Sequence, residues 1–200
     1  MQTIKKTGSM PKETAKGFER YKNKPWGDIP EAVKTPLRAE LEKEQKGICC
    51  YCCKSISGSH TTIEHLKSRN NYPSECFNYD NLLLSCTTKN QCDKAKKDAD
   101  LELTPLMVEC DTEIKLNLAG ELESDIKRGK EAIKLLNLNN RQAVQYRKNL
   151  FNMLGEVFGY DLPHSPPLTI KNKENLDLLL SFLPDMGQQS EIKYIINKLT

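Results

Sequence analysis

The sequence predicts an α+β fold, and three observations predict it. Cys49-x-x-Cys52 and a looser pair, Cys86 and Cys92, bracket a Glu64-His65 dipeptide within short strand-like runs. Residues 113–123 alternate in polarity (Ile114, Leu116, Leu118, then Leu122) about Ala119-Gly120, as a hairpin does. Elsewhere apolar residues recur every three or four positions, the period of a helix.

Taken in order, residues 1–27 are polar and broken by Pro11, Gly17, Pro25 and Gly27, which predicts an arm that orders partly on docking. Residues 1–26 hold seven cations against Glu13 and Glu19, a balance of +5; the whole chain carries +3, so the remainder is about −2. A basic arm suits a phosphate backbone, and equally a solvated tail. Asp28 can cap a helix with Pro30 in its first turn, Val33, Leu37 and Leu41 on one stripe and Gly47 ending it. Ile48 to His65 then reads as a hairpin, with Cys49–Cys52 as a knuckle, Ser57-Gly58-Ser59 as the turn and Thr61-Thr62-Ile63 as a β-branched return strand. A polar loop, 66–80, leads to the buried run Leu82-Leu83-Leu84, and Asp93 stands where a helix bearing Lys94, Lys96 and Lys97 would begin.

Beyond Thr104-Pro105 come the second hairpin and a helix from Ser124 or Asp125 to Leu136. Another runs from Asn139 or Asn140 to Val157, with Val144, Phe151, Leu154 and Phe158 on one stripe. Pro163, Pro166 and Pro167 break the chain before two last helices, near Lys173–Leu183 and Ser190–Leu199. Their apolar residues bury either in this chain's core or in a partner. The expected organisation is a basic arm (1–27), a metal module with its leading helix (28–105) and a hairpin with carboxyl-terminal helices (106–200).

No apolar run approaches the roughly 18 residues that cross a bilayer, and Met1–Lys6 lacks the hydrophobic stretch of a signal peptide. A cytoplasmic chain without a membrane partner is therefore expected. There thiols stay reduced, so eight cysteines point to metal rather than to disulfides. Cys49 and Cys52 have knuckle spacing for a structural Zn²⁺, and Cys86 and Cys92 can complete a tetrahedron if residues 87–91 loop outward. Cys50 and Cys53 offer a rival pair one residue along. Cys76 and Cys110 read as small buried hydrophobes.

The second chemistry is oxygen and imidazole. His65 is expected to stay near its ordinary pKa and take a proton from water at neutral pH; alone, it would be a satisfied structural residue. Glu64 and Asp93 are hard ligands suited to one Mg²⁺ or Mn²⁺, although Asp93 alone reads as a helix cap. Asn81 can hold His65 across the loop, or be a turn residue. Lys96 can face a phosphate, or be a solvated surface lysine.

This arrangement resembles the HNH (ββα-metal) endonucleases. The matching stretches are Cys49-Cys50-Tyr51-Cys52, Ile63-Glu64-His65, Asn81-Leu82-Leu83-Leu84-Ser85-Cys86 and Cys92-Asp93-Lys94-Ala95-Lys96. Residues 44–52, 63–65, 103–106 and 135–139 resemble one branch further, the PtuB-type HNH proteins of Septu and retron anti-phage defence systems. That resemblance spans roughly residues 37–150. It implies a zinc-stapled ββα-metal module with Cys49, Cys52, Cys86 and Cys92 around structural zinc, His65 as general base, and Glu64 and Asp93 around a catalytic ion. It also implies an antiviral nuclease effector acting on nucleic acid, DNA before RNA, with an ATPase partner of the PtuA type and a retron reverse transcriptase and its msDNA as further partners. One departure is Asp93, where the pattern has His or Asn; an aspartate binds Mg²⁺ at least as well. The other reading is a non-catalytic zinc module that recruits nucleic acid or protein, which has no need of the His65–Asp93 pair.

Overall fold

The computed structural model describes residues 1–158, 180–181 and 186–199. Two small antiparallel sheets are set among helices, so the α+β class holds. The expected helix at 173–183 lies outside the described residues except for 180–181.

Helix α1 spans Lys12–Tyr21 and α2 spans Glu31–Glu44. Leu37 and Leu41 of α2 are fully buried, whereas Val33 is only partly so. Asp28 does not cap α2. It closes a 3-10 turn, Trp26–Asp28, and Pro30 takes the cap position with no side-chain bond. Backbone at positive φ in Lys46 and Gly47 then turns the chain out of the helix.

Strand β1, Thr61–His65, pairs antiparallel with β2, Leu82–Cys86, placing Thr61 opposite Cys86 and His65 opposite Leu82. This corrects the expected hairpin within 48–65, because Ile48 makes only one bridge, to Ser55. All five β2 residues are buried, which explains its unbroken leucine run. Its outer edge is satisfied from two sides. Cys50 N donates to Leu84 O at 3.0 Å, and the buried Gln45 amide bonds both N and O of Leu84 at 2.6 and 2.9 Å. The end of α2 and the cysteine knuckle are thereby fastened to one strand.

Helix α3, Asp93–Lys96, follows after the turn at 87–92, and α4 covers Cys110–Glu113. The second hairpin forms as expected from β3, Lys115–Leu116, and β4, Leu122–Glu123. Helix α5, Lys127–Leu135, starts later than expected, so Ile126 stays exposed ahead of it. Helix α6, Arg141–Phe158, starts on Asn140, whose side chain accepts from Ala143 N at 3.0 Å as an N-cap does. The last helix, α7, spans Met186–Leu199 and buries Ile192, Ile195 and Ile196 in this chain's own core.

Residues 1–27 are not an arm awaiting a partner. Met1 and Ile4 are buried, and Ile4 N donates to Pro105 O at 2.7 Å. Lys6 pairs with Glu44 at 2.9 Å, while Phe18 packs on Phe77 and Trp26 at 4.9 and 5.5 Å between centroids. Average polarity conceals this small apolar set, which suffices to dock the segment. Among the described residues no helix is long and apolar enough to cross a membrane.

Candidate metal centre and active site

Four thiols converge where the knuckle, the end of β2 and the start of α3 meet. One sulfur each from Cys49, Cys52, Cys86 and Cys92 lies within 4.8 Å of all the others. Cys49 to Cys92 is 3.8 Å and Cys52 to Cys86 is 3.9 Å. Tetrahedral zinc with Zn–S of about 2.3 Å spaces its sulfurs by about 3.8 Å, so the set fits that ion. The pair that joins Cys86 and Cys92 in the cluster is 49/52; Cys50 and Cys53 are buried but outside it. The wide spacing of Cys86 and Cys92 is closed by positive φ at Asn90 and Cys92, with Cys92 N bonded to Leu136 O at 3.0 Å. Burial would raise the Cys49 thiol, but hydrogen bonds from Cys50, Cys52, Cys86 and Cys92 hold it well below the usual thiol range. Cys86 N also donates to that sulfur at 3.3 Å. A sulfur held as thiolate is the form that ligates metal.

Toward the other end of β1–β2, an open cleft of about 420 Å³ is lined by Glu64, His65 and Asp93 together with Trp26, Arg69, Lys94 and Lys97. Strand alternation would separate Glu64 from His65, yet both border the cleft because His65 is the last residue of its strand. Asp93 enters from the first turn of α3, its side chain 19% exposed.

Glu64 is buried, and its Oε1 accepts from Tyr51 Oη at 2.7 Å and pairs with Lys96 Nζ at 2.9 Å. Burial and then the adjacent Asp93 carboxyl push Glu64 up to about 8, against the pull of Lys96. Two carboxyls pressed together beside an open cleft are the donor set a hard divalent cation accepts.

His65 has a different environment from the one expected. Burial and then the Arg69 guanidinium push it down to about 4, not near its ordinary value. Its Nε2 lies 3.1 Å from Cys76 O. A carbonyl only accepts, so Nε2 carries the proton and Nδ1 is the basic nitrogen of the neutral ring. The ring edge meets Trp26 at 4.5 Å between centroids and 87° between planes.

Asn81 closes the loop behind His65, and its side-chain hydrogen bonds go to the backbone of Lys67 and Glu75 rather than to the imidazole. Its side chain accepts from Lys67 N at 2.7 Å and donates to Lys67 O and Glu75 O, both at 3.0 Å. Lys96 is not a surface lysine and does not line the cleft. It is 2% exposed, turned inward to Glu64, and donates to His65 O at 3.1 Å. The cations that do border the cleft are its exposed neighbours Lys94 and Lys97, with Arg69.

No family model matches the chain. Over 188 residues it is 26% identical to the "Retron Vc95 putative HNH endonuclease" of Vibrio cholerae serotype O1 biovar El Tor, a span of 85% of this chain and 83% of that protein. This chain is similar to a retron HNH protein. The similarity runs far beyond the few dozen residues that hold the cysteines, so it takes in the hairpin and helices as well.

Residues at the site that were missed in the sequence include Trp26, Tyr51, Arg69, Lys94, Lys97 and Asp98. Trp26 is the one tryptophan of the chain, next to Pro25, and that rarity was the available signal. Tyr51 sits inside the knuckle itself. Arg69 and Lys97 had none, being ordinary surface cations until the loop and helix place them.

Proposed function

We propose that the chain is an HNH endonuclease that hydrolyses nucleic-acid phosphodiester bonds. What supports this most is that β1 and α3, fastened by the cysteine cluster, bring Glu64, His65 and Asp93 to one cleft. His65 takes a proton from the attacking water as the new P–O bond forms, and its neutral ring is available for this throughout the physiological range. The old P–O bond breaks, and the leaving oxygen is reprotonated from solvent. Glu64 and Asp93 would hold Mg²⁺ or Mn²⁺, which when bound supplies charge neutralisation at the phosphate and the leaving oxygen. Arg69, Lys94 and Lys97 meet the flanking phosphates, and Asn81 keeps the loop after His65 in register. Cys49, Cys52, Cys86 and Cys92 hold structural zinc.

DNA is the favoured substrate. The name of the relative supports a retron context; a cytoplasmic anti-phage assembly with a retron reverse transcriptase and its msDNA is what the family resemblance implies. The Septu resemblance adds a PtuA-type ATPase that restrains the nuclease. Two experiments test this. Chelator-treated protein is incubated with plasmid and with RNA, and Mg²⁺ or Mn²⁺ is restored; nicking that returns with the ion and vanishes in His65→Ala is expected, and its absence on both substrates would end the nuclease reading. Co-expression with a neighbouring ATPase gene should yield a complex by a tag on either chain. Full activity from this chain alone, without co-purification, would remove the restraint and leave the nuclease.

A further inference from the structure

We propose that Tyr51 is a positioning residue for the carboxylate of Glu64, tying the zinc knuckle to the ion-binding cleft by one buried hydrogen bond. The inference rests on the nuclease reading for what the cleft does, but the geometry behind it is independent. Tyr51 lies between two of the four thiol ligands, and its side chain is fully buried. Its hydroxyl reaches across 13 residues of sequence to Glu64 Oε1 at 2.7 Å. A solvated phenol would gain nothing from this span. A buried one needs an acceptor, and here that acceptor is a carboxylate.

The second donor to the same oxygen comes from the other side of the cluster. Lys96 belongs to α3, which begins directly after the ligand Cys92, and its Nζ meets Oε1 at 2.9 Å. Each half of the sulfur set therefore contributes one buried donor to one oxygen of Glu64. Both donors on Oε1 fix the plane of the carboxyl group and so its aim toward the cleft. Closure of the thiol cluster thus sets the aim of a carboxylate it does not touch. Tyr51 touches neither substrate nor reacting atoms; it acts through Glu64.

Tyr51→Phe removes one oxygen and keeps the ring, so it isolates the hydrogen bond. Full-length wild type and variant, both zinc-replete, are compared for zinc content, thermal midpoint, Mn²⁺ affinity by calorimetry, and kcat and KM on plasmid. The expected variant keeps its zinc and a midpoint close to wild type, binds Mn²⁺ roughly 10–100-fold more weakly, the usual effect of losing a partner that orients a ligand, and loses kcat with KM for the plasmid little changed. Raising Mn²⁺ should recover much of the rate. A variant with unaltered Mn²⁺ affinity overturns the proposal, and so does one that loses zinc, since the hydroxyl would then serve the fold. A wild-type chain whose Mn²⁺ binding weakens in Tyr51→Phe but which cuts no nucleic acid keeps the positioning role and removes the nuclease reading instead.

Discussion

The sulfur cluster and the acidic cleft share one strand pair and follow opposite rules. Cys86 ends β2 at one extremity, while His65 ends β1 at the other. The cluster is closed: four like ligands, with Cys49 and Cys92 fully buried, and sulfur spacings that match a tetrahedron. The cleft is open, with the carboxyls of Glu64, Asp93 and Asp98, a neutral imidazole, and the cations Arg69, Lys94 and Lys97 around its mouth. A saturated site has no position to offer a substrate, whereas a site with few protein ligands keeps positions for water and phosphate. The difference separates what holds the fold from what can react, although about a dozen residues, 85–96, serve both.

The strongest challenge to that division is Cys86→Ser. Structural zinc contributes on the order of 10–16 kcal/mol in small modules, so the variant should lose zinc and become insoluble or readily proteolysed; a soluble, zinc-free, folded chain would show that the cluster is dispensable. His65→Ala should do the opposite. Its rate on plasmid is expected to fall roughly 10²–10⁴-fold while zinc content and thermal midpoint stay near wild type, and cutting at the wild-type rate would remove His65 from the mechanism.

Lys96→Ala sharpens the boundary between the two sites. It leaves Glu64 buried without its cation, which should destabilise the chain by about 3–5 kcal/mol in urea unfolding. A solvated phosphate contact would shift stability by less than about 0.5 kcal/mol. Lys97→Ala, at the cleft mouth, should raise KM a few-fold with a weaker salt dependence and leave stability alone. The smallest effect is expected from Cys110→Ser. This thiol is buried beside Thr3 Oγ1 at 3.6 Å, so the substituted hydroxyl has a partner and the cost should stay near 1 kcal/mol. Loss of zinc from that variant would place a fifth cysteine in the metal centre.

Residue chemistry was legible before any fold was known, because ligand type and local period are written in the chain. Soft thiolates at knuckle spacing, the alternation of 113–123 and an asparagine ahead of an apolar stripe each led to the element observed. The tertiary structure alone decided partners. Residues 61–65 could pair with the nearer run at 48–56 or with 82–86, and burial of the leucine strand selected the latter. The choice between the 49/52 and 50/53 registers depended on where two distant sulfurs came to lie. Helix α3 has four residues, too few to show a period, so nothing in its sequence told that Lys96 turns inward while Lys94 and Lys97 face the cleft. The docking of residues 1–27, the seating of Trp26 on His65 and the reach of Tyr51 to Glu64 are likewise contacts between segments far apart in the chain. A side chain's chemistry is local, but its partner is set by packing, and packing is where this protein's site was assembled.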